Sequence, residues 1–210
     1  MKDAKGIILP FRFAPICHAV PPANQIRIIG GRWRGRRVRF PPREGVRPTP
    51  DRIRETLFNW LGQDLTGMAC LDLFAGSGAL GFEALSRGAA SVVMVEKHPA
   101  ALRALRENAR RLGAANLTLI RGDALEFAGG ARSRFDVVFV DPPYRAGTQV
   151  AALGVVRGLL SEGGRVYVES DTAFEAPRGW TIFKRARAGN VHFHLLAREL
   201  DDQSGVSGNV

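Results

Sequence analysis

The sequence predicts an α/β fold with a mostly parallel seven-stranded sheet, an antiparallel pair of strands at its carboxyl end and a small basic hairpin at its amino end. Three observations support this prediction. From residue 69 onward, short and nearly continuous apolar runs alternate with segments of helical periodicity, as in parallel sheets covered on both faces. The last two runs, 180–189 and 191–199, follow each other without a helix. Before residue 48, arginines alternate with apolar residues around glycines, which is typical of a hairpin.

The individual elements follow from apolar periodicity and from the residues that end each segment. The strands are expected at residues 69–74, 91–96, 117–122, 135–143, 164–170, 180–189 and 191–199. The helices between them are expected at residues 78–88, 99–113 and 148–160. Gly88 and Gly113 fit the ends of the first two helices, because glycine readily adopts the left-handed conformation that commonly closes a helix.

The segment before residue 66 is expected to add a small basic unit. Residues 26–47 predict a short hairpin, and a helix should follow with Thr49 as its cap and Pro50 at its first position. The apolar residues of that helix recur at helical spacing: Ile53, Leu57, Phe58 and Leu61. The chain is therefore expected to divide into a poorly ordered extension (1–24), a basic hairpin and helix (25–65), the main α/β domain (66–200) and a frayed tail (201–210).

Positive charge is concentrated near the amino end of the chain. The formal net charge is +10, and the segment 27–54 holds ten arginines against only two acids, Glu44 and Asp51. Such a cluster predicts attraction to a polyanion, of which nucleic acid is the commonest. The arginines of the hairpin suit phosphate contacts, and Trp33 is expected either to stack on a base or to pack in the core. The residues expected to contact RNA are Arg32, Trp33, Arg34, Arg36, Arg37 and Arg39.

The composition argues against several classes of protein. Two cysteines are too few for a disulfide framework. No apolar run reaches the length of a membrane span, and prolines interrupt the early apolar stretch, so we expect no signal peptide and a cytoplasmic protein. His192 and His194 alternate on a late strand without nearby cysteine or acidic ligands, so no metal site is expected.

A glycine-rich turn after the first strand of the main domain predicts a site for a nucleotide cofactor. Gly76, Gly78 and Gly81 have the spacing G-x-G-x-x-G between a strand and a helix. Glu96 ends the next strand, where its carboxylate is placed to accept hydrogen bonds from ribose hydroxyls. A nicotinamide-dependent enzyme has the same two features, so the turn alone does not identify the cofactor.

Two acids near this turn favour S-adenosylmethionine. Asp72 precedes the glycines, where a carboxylate suits a cationic amino acid moiety and would repel a pyrophosphate. Asp123 follows the third strand, where it is expected to meet the adenine edge. The alternative for Asp72 is that it only caps the neighbouring helix. The residues expected to bind the cofactor are Asp72, Phe74, Ala75, Gly76, Ser77, Gly78, Glu96, Asp123 and Ala124.

The fourth strand ends in the expected catalytic segment, Asp141-Pro142-Pro143-Tyr144. Ligands of open α/β sheets bind beyond the carboxyl ends of the strands. An exocyclic amine on a base is a weak nucleophile because its lone pair is delocalised into the ring, and the Asp141 carboxylate and Pro142 carbonyl are suited to accept both of its N–H protons. The prolines fix this backbone, and Tyr144 offers a flat surface for an extruded base. The alternative is a plain turn at the end of a strand.

Five segments of the chain together resemble a known enzyme family. They are IRIIGGRWRGRRVRFP, RPTPDRIRETLFNWL, LDLFAGSGALGFEALSRGA, FVDPPY and YVES. Over roughly residues 26–198 the chain is similar to the bacterial small-subunit (16S) rRNA (guanine-N2-)-methyltransferases, which are Rossmann-like S-adenosylmethionine-dependent enzymes. The resemblance implies methylation of guanine N2 in small-subunit rRNA, with an rRNA particle preferred over naked RNA. We expect a monomeric enzyme.

Other functions stay open on the residues alone. Adenine-N6 methyltransferases acting on DNA or RNA share the Asp-Pro-Pro-Tyr segment. A non-enzymatic RNA-binding protein on a relict scaffold is a second alternative, against which the intact cofactor and catalytic motifs argue. An NAD-binding protein is a third. An alternative role is also open for Arg47, Thr49 and Arg54. Instead of contacting RNA or capping a helix, they are placed to close over the carboxylate of the cofactor.

Overall fold

The computed structural model describes residues 24–42, 49–143 and 147–199. The extension predicted at 1–24 lies outside these ranges except for its last residue, and the tail predicted at 201–210 lies wholly outside them. Tyr144 and Arg47 are also outside the described residues. Within these ranges, no helix is long and apolar enough to cross a membrane.

The basic hairpin and the helix after it are confirmed. Strands β1 (Asn24–Arg27) and β2 (Arg37–Phe40) pair in antiparallel fashion, and a single 3-10 turn at Gly31–Trp33 lies between them. Helix α1 spans Asp51–Trp60. Its apolar residues at helical spacing are buried against the main domain as expected, because a helix of this length is stabilised chiefly by packing of one face.

The main domain alternates strands with helices. The strands are β3 (Ala69–Asp72), β4 (Ser91–Glu96), β5 (Leu117–Arg121), β6 (Phe135–Val140), β7 (Leu160–Ser170), β8 (Trp180–Ala188) and β9 (Val191–Arg198). The helices are α2 (Ala79–Ser86), α3 (Pro99–Leu112), α4 (Ala124–Gly130) and α5 (Thr148–Val156). All seven strands form one sheet in the order β5-β4-β3-β6-β7-β9-β8, where β9 is antiparallel to both of its neighbours and the pairs before it are parallel. The predicted fold class is confirmed.

Three details differ from the prediction. Helix α4 is not predicted, because its seven residues end in two glycines and show no helical period; its cap at Asp123 and the burial of Ala124 and Ala128 stabilise it. The helix expected at 148–160 ends at Val156, and β7 begins directly after a 3-10 turn. Thr49 does not cap α1. Pro50 has an extended backbone and is itself the cap residue, so the helix begins at Asp51, one residue later than predicted.

Apolar residues cover the sheet on both faces. One core joins residues of α1, α2 and α3 to the hairpin, including Ile28, Trp33 and Val38. The other joins residues of α4 and α5 to the opposite face of the sheet, including Ala152 and Val138. The hairpin is therefore packed as part of one helical layer, which fixes its position relative to the strands.

Candidate active site

Four acidic residues lie at the carboxyl ends of neighbouring parallel strands. Asp72 ends β3, Glu96 ends β4, Asp141 directly follows β6, and Glu169 is the penultimate residue of β7. These four strands are adjacent in the sheet. Because ligands of open α/β sheets bind at this edge, the acids mark the candidate site. The sequence predicts Asp72, Glu96 and Asp141 as site residues, but it does not predict Glu169.

The glycine turn between β3 and α2 has the backbone that its motif requires. Gly76 and Gly78 have φ angles of 52° and 78°, in the left-handed region that favours glycine. A Cβ atom on Gly78 would lie 2.6 Å from the Leu105 side chain, and one on Gly81 would collide with the Met94 side chain. The first two glycines therefore allow the turn, and the third allows α2 to approach the sheet.

Asp72 is deeply buried at the start of this turn. Its side chain is only 3% exposed, and its Oδ2 atom accepts a hydrogen bond from the Gly81 N–H at 3.0 Å. Burial raises the pKa of Asp72 to about 7, and the neighbouring Glu96 carboxylate adds to this rise. The bond to the first turn of α2 is the capping contact that the sequence left open, but one such bond does not offset the burial of the charge.

Glu96 and Asp123 hold the loops on either side of the glycine turn. The Glu96 carboxylate accepts hydrogen bonds from the Gly76 N–H at 2.9 Å and from the His98 N–H at 2.7 Å. Asp123 is exposed, and its Oδ1 atom accepts from the Leu125 N–H at 2.9 Å as the cap of α4. Each carboxylate oxygen has two lone pairs, so both side chains retain acceptor capacity towards a ligand.

The other residues expected to bind the cofactor lie in the same two loops. Ala75 and Ser77 are buried within the glycine turn, and Phe74 is half-buried there. Ala124 is buried at the first position of α4. The structure thus brings the nine predicted cofactor residues to the ends of adjacent strands.

These residues fit S-adenosylmethionine. The buried Asp72 carboxylate is an acceptor matched to an ammonium group, since a cation relieves the cost of burying its charge. A Cβ on Gly76 would meet only the Phe74 carbonyl oxygen, at 3.7 Å, so the turn leaves room beside its backbone. The Glu96 carboxylate is an acceptor for paired hydroxyl groups.

The segment predicted to be catalytic begins at Asp141, and a second carboxyl group, that of Glu169, lies nearby at the end of β7. Asp141 is half-buried, and its Oδ2 atom accepts a hydrogen bond from the Thr49 hydroxyl at 3.2 Å. The same hydroxyl is within hydrogen-bonding reach of Glu169. The Tyr167 hydroxyl donates to Glu169 Oε1 at 2.6 Å. Thr49 therefore links the end of β6 to the end of β7.

Burial raises the pKa of both of these carboxyl groups. Burial raises the pKa of Asp141 well above its usual range, and the nearby Glu169 carboxylate adds to the rise against the Thr49 hydrogen bond. Burial also raises the pKa of Glu169, against the hydrogen bonds from Tyr167 and Thr49. Carboxyl groups with raised pKa values in a cleft are typical of proton-transfer sites. Pro142 is buried and Pro143 is exposed, while Tyr144 lies outside the described residues.

The hairpin is fixed to the main domain through Glu83, a fully buried residue of α2. Its carboxylate accepts hydrogen bonds from the backbone N–H groups of Ile29 at 2.8 Å and Gly30 at 2.7 Å. It also forms ion pairs with Arg54 at 3.3 Å and Arg87 at 2.9 Å. One buried charge thus satisfies two backbone donors and two guanidinium groups, which gives the hairpin a defined position.

The tip of the hairpin lies at the edge of the sheet opposite the catalytic segment. The Trp33 N–H donates to Ser86 Oγ at 2.9 Å, and Gly31 packs directly on the Ser86 carbonyl. Ser86 ends α2, and helices that follow parallel strands run back towards the amino ends of those strands. The Gly31–Trp33 end of the hairpin and Asp141 therefore lie at opposite edges of the sheet.

The arginines expected to contact RNA are all exposed: Arg32, Arg34, Arg36, Arg37 and Arg39. Trp33 is only 5% exposed and belongs to the core, with the Arg32 guanidinium over its ring. A buried ring cannot stack on RNA, so packing is its role. Arg54 is fully buried, and its guanidinium bonds to protein groups including the Thr49 and Arg27 carbonyls. The alternative in which Arg54 closes over the cofactor is therefore wrong.

Comparison with known proteins identifies the family. The family model described as "Conserved hypothetical protein 95" matches residues 26–197. The ribosomal RNA small subunit methyltransferase D of Escherichia coli is 41% identical over 187 residues, covering 87% of this chain and 94% of that protein. The chain belongs to the ribosomal RNA small subunit methyltransferase D family. It is accordingly a member of a methyltransferase family.

Solved structures agree with this assignment. The structure of yhhF from Escherichia coli matches with a TM-score of 0.75 and 42% identity, covering 84% of this chain and 99% of that one. The Thermus thermophilus 16S rRNA N2 G1207 methyltransferase, solved with AdoMet and guanosine, matches with a TM-score of 0.65 and 23% identity over 85% of this chain and 50% of that one. The second likeness shows the shared fold alone, a Rossmann-like methyltransferase sheet.

Two residues of the site are missed by sequence reasoning. Glu169 lies in the run YVES, which contributes to the family resemblance but does not by itself indicate a site residue. The signal that could have found it is its position, since Glu169 lies next to the last residue of a predicted strand, as Asp72 and Glu96 lie at or near the ends of theirs. The sequence predicts Thr49 as a helix cap or a cofactor contact, and it does not predict its hydrogen bond to Asp141. No group of His, Cys, Asp and Glu suited to a metal occurs within the described residues.

Proposed function

We propose that this protein transfers a methyl group from S-adenosylmethionine to the exocyclic N2 amine of a guanine in small-subunit rRNA. The observation that carries the proposal is the position of Asp141-Pro142 at the carboxyl end of β6, one strand away from the buried Asp72 and the glycine turn. Family membership supports an rRNA substrate, since the relative from Escherichia coli is named a ribosomal RNA small subunit methyltransferase.

The cofactor residues divide by chemical role. Asp72 binds the ammonium group, Glu96 the ribose hydroxyls and Asp123 the adenine edge, while the backbone around Gly76 and Gly78 faces the bound molecule. Bound S-adenosylmethionine supplies an electrophilic methyl group. Phe74, Ala75, Ser77 and Ala124 shape the walls of this site.

The catalytic segment binds and orients the amine. The Asp141 carboxylate and the Pro142 carbonyl each accept an N–H from the amine, which turns its lone pair away from the ring and towards the methyl donor. The carbonyl of Pro142 is held in advance because two consecutive prolines restrict the backbone. Tyr144 stacks on the base, which must leave its helix or loop to reach a site at the sheet edge.

The second carboxyl group assists Asp141. When the amine becomes methylated it loses a proton, and the Asp141 carboxylate is the acceptor in contact with it. Burial, with a smaller contribution from the Glu169 carboxylate, raises the pKa of Asp141, which makes the ionised Asp141 a stronger base. Thr49 holds the two carboxyl groups together, and Tyr167 stabilises the ionised form of Glu169 by donating a hydrogen bond.

The remaining parts of the proposal concern the setting of the reaction. The enzyme acts as a monomer in the cytoplasm, on rRNA in a ribosomal particle, and the exposed arginines of the hairpin bind phosphates of that RNA. The adenine-N6 reaction uses the same catalytic segment, and it is separated from guanine N2 by the product alone.

A substrate comparison tests this proposal. Labelled methyl from S-adenosylmethionine is offered with small ribosomal subunits from cells lacking this protein, with the free rRNA of those subunits and with DNA. The proposal expects label in the subunits at the highest rate, and a rate lower by about 100-fold or more with Asp141→Ala. Preferential labelling of DNA would contradict it, as would equal labelling by the Asp141 variant.

A further inference from the structure

Helix α3 presents a face of arginines to solvent. At 100° per residue, Arg103, Arg106 and Arg110 fall on one side of the helix, and all three are exposed. The buried residues of α3 lie on the other side: Ala101, Leu102, Leu105, Asn108 and Leu112. Glu107 is an acid on the exposed face.

These arginines have no acidic partner in the described parts of the chain. The ion pairs found there involve Arg27, Arg54 and Arg87. Arg103 and Arg106 are three residues apart, and Arg106 and Arg110 are four apart, so like charges are neighbours on the helix surface. Like charges at these spacings destabilise an isolated helix. Glu107 is the only acid of α3 and lies on this exposed face, so the face keeps a net positive charge.

The hairpin packs against the side of α3 that holds Asn108, next to the arginine face but not on it. The Asn108 side chain accepts from the Arg39 N–H at 3.1 Å and donates to the Arg39 carbonyl at 2.6 Å. The Arg36 guanidinium donates to the Arg111 carbonyl at the end of α3. Strand β2 is thus held along the side of the last two turns of α3, and the charges of both elements keep a fixed spacing.

Helix α3 runs from the catalytic edge of the sheet to the hairpin, so its arginine face extends along that direction. The helix begins just after Glu96, at the edge of the sheet that holds the cofactor residues, and ends beside the hairpin tip. Its fourteen residues span about 21 Å. Arg103 and Arg106 consequently lie nearer to the catalytic edge than Arg110 does.

We propose that Arg103, Arg106 and Arg110 of α3 form, together with the exposed arginines of the hairpin, one phosphate-binding surface for the RNA that flanks the target nucleotide. Its partner is the RNA backbone, because unpaired guanidinium groups at fixed spacing suit phosphates and carry no readout of base sequence. The identity of the RNA rests on the proposed function, whereas the surface itself rests on charge and geometry.

The test is the salt dependence of RNA binding. The triple variant R103Q/R106Q/R110Q is compared with R132Q/R178Q/R185Q, which removes the same charge from exposed arginines away from α3. The probes are small ribosomal subunits and an RNA duplex of arbitrary sequence. The α3 variant is expected to lower the slope of log K against log salt by about 2 to 3 and to bind at least about tenfold more weakly at low salt. The lysine variant R103K/R106K/R110K is expected to keep the wild-type slope.

The outcomes separate this inference from the proposed function. A slope and affinity equal to those of the control variant would overturn the surface, even if the wild-type protein methylates subunits. A selective loss for the α3 variant supports the surface, even if no methyl transfer is found. Loss with the lysine variant as well would also overturn it, because the charges would then not be the cause. Equal melting temperatures of the variants show that the fold is retained.

Discussion

Replacing Asp72 by asparagine tests the role of the buried carboxylate. Asparagine keeps the shape and the oxygen that accepts from the Gly81 N–H, and it removes the charge. A hydrogen bond to a charged group contributes roughly 1.5–3 kcal/mol. We therefore expect D72N to bind S-adenosylhomocysteine, which carries the same ammonium group, roughly 10- to 100-fold more weakly at pH 7.5. Asp171→Asn, an exposed acid just beyond β7, is the matched control and should bind normally.

The raised pKa of Asp72 also predicts a pH dependence. Its folded-state pKa of about 7 lies above the usual 3.8, so the unliganded fold favours the neutral form and the bound cation favours the ionised form. About one group in ten is ionised at pH 6 and about three in four at pH 7.5, so the affinity should rise roughly eightfold over that range. The pH stays below the range in which the ammonium group itself deprotonates.

The same shift has the opposite consequence for the free protein. A carboxyl group whose pKa is raised by folding stabilises the fold at low pH, and this stabilisation is lost as the pH rises through about 7. The loss amounts to at most about 4 kcal/mol at pH 8. Unliganded D72N should therefore melt no lower than wild type at pH 8. Calorimetric titration measures the affinity, and thermal unfolding measures the stability. If D72N bound the ligand as tightly as wild type, or if the affinity of D72N kept the wild-type pH dependence, Asp72 would act only as a helix cap.

Three further substitutions probe other parts of the site. Asp141→Ala should lower the single-turnover rate about 100-fold or more with cofactor affinity nearly unchanged; equal losses of both would make Asp141 structural. Glu169→Gln removes the like charge beside Asp141, so the pKa of Asp141 should fall and the acidic limb of the pH–rate profile should move to lower pH; an unmoved limb would exclude coupling. Glu83→Gln leaves the buried Arg87 guanidinium without its counter-charge and leaves Arg54 with Asp51 alone, so it should cost about 3–5 kcal/mol of unfolding free energy in urea; a cost below about 1 kcal/mol would show that the network does not hold the hairpin.

The fold and the cofactor turn are predictable because local rules decide them. The apolar runs define strands buried on both faces, and the spacing of Gly76, Gly78 and Gly81 reflects backbone angles and close contacts that the structure contains. Asp72, Glu96 and Asp141 follow directly from the ends of these strands. Each of these acids lies in a motif that indicates both its chemical role and its position at the end of a strand.

The position of the hairpin is not predictable from local rules. It depends on Glu83, a charged residue in a helix whose residues are all buried, and on donors more than fifty residues away in the sequence. Nothing in the hairpin itself indicates that its tip lies far from Asp141. Trp33 illustrates the same limit, because an aromatic residue among arginines suits RNA stacking and core packing equally until its burial is known.

The most direct test of the central claim is the chemical identity of the methylated nucleoside. Small subunits from cells lacking this protein are methylated in vitro, the rRNA is digested to nucleosides, and the labelled nucleoside is identified by mass and chromatography. N2-methylguanosine is the predicted product. N6-methyladenosine would keep the cofactor site and the catalytic segment but contradict the assigned base.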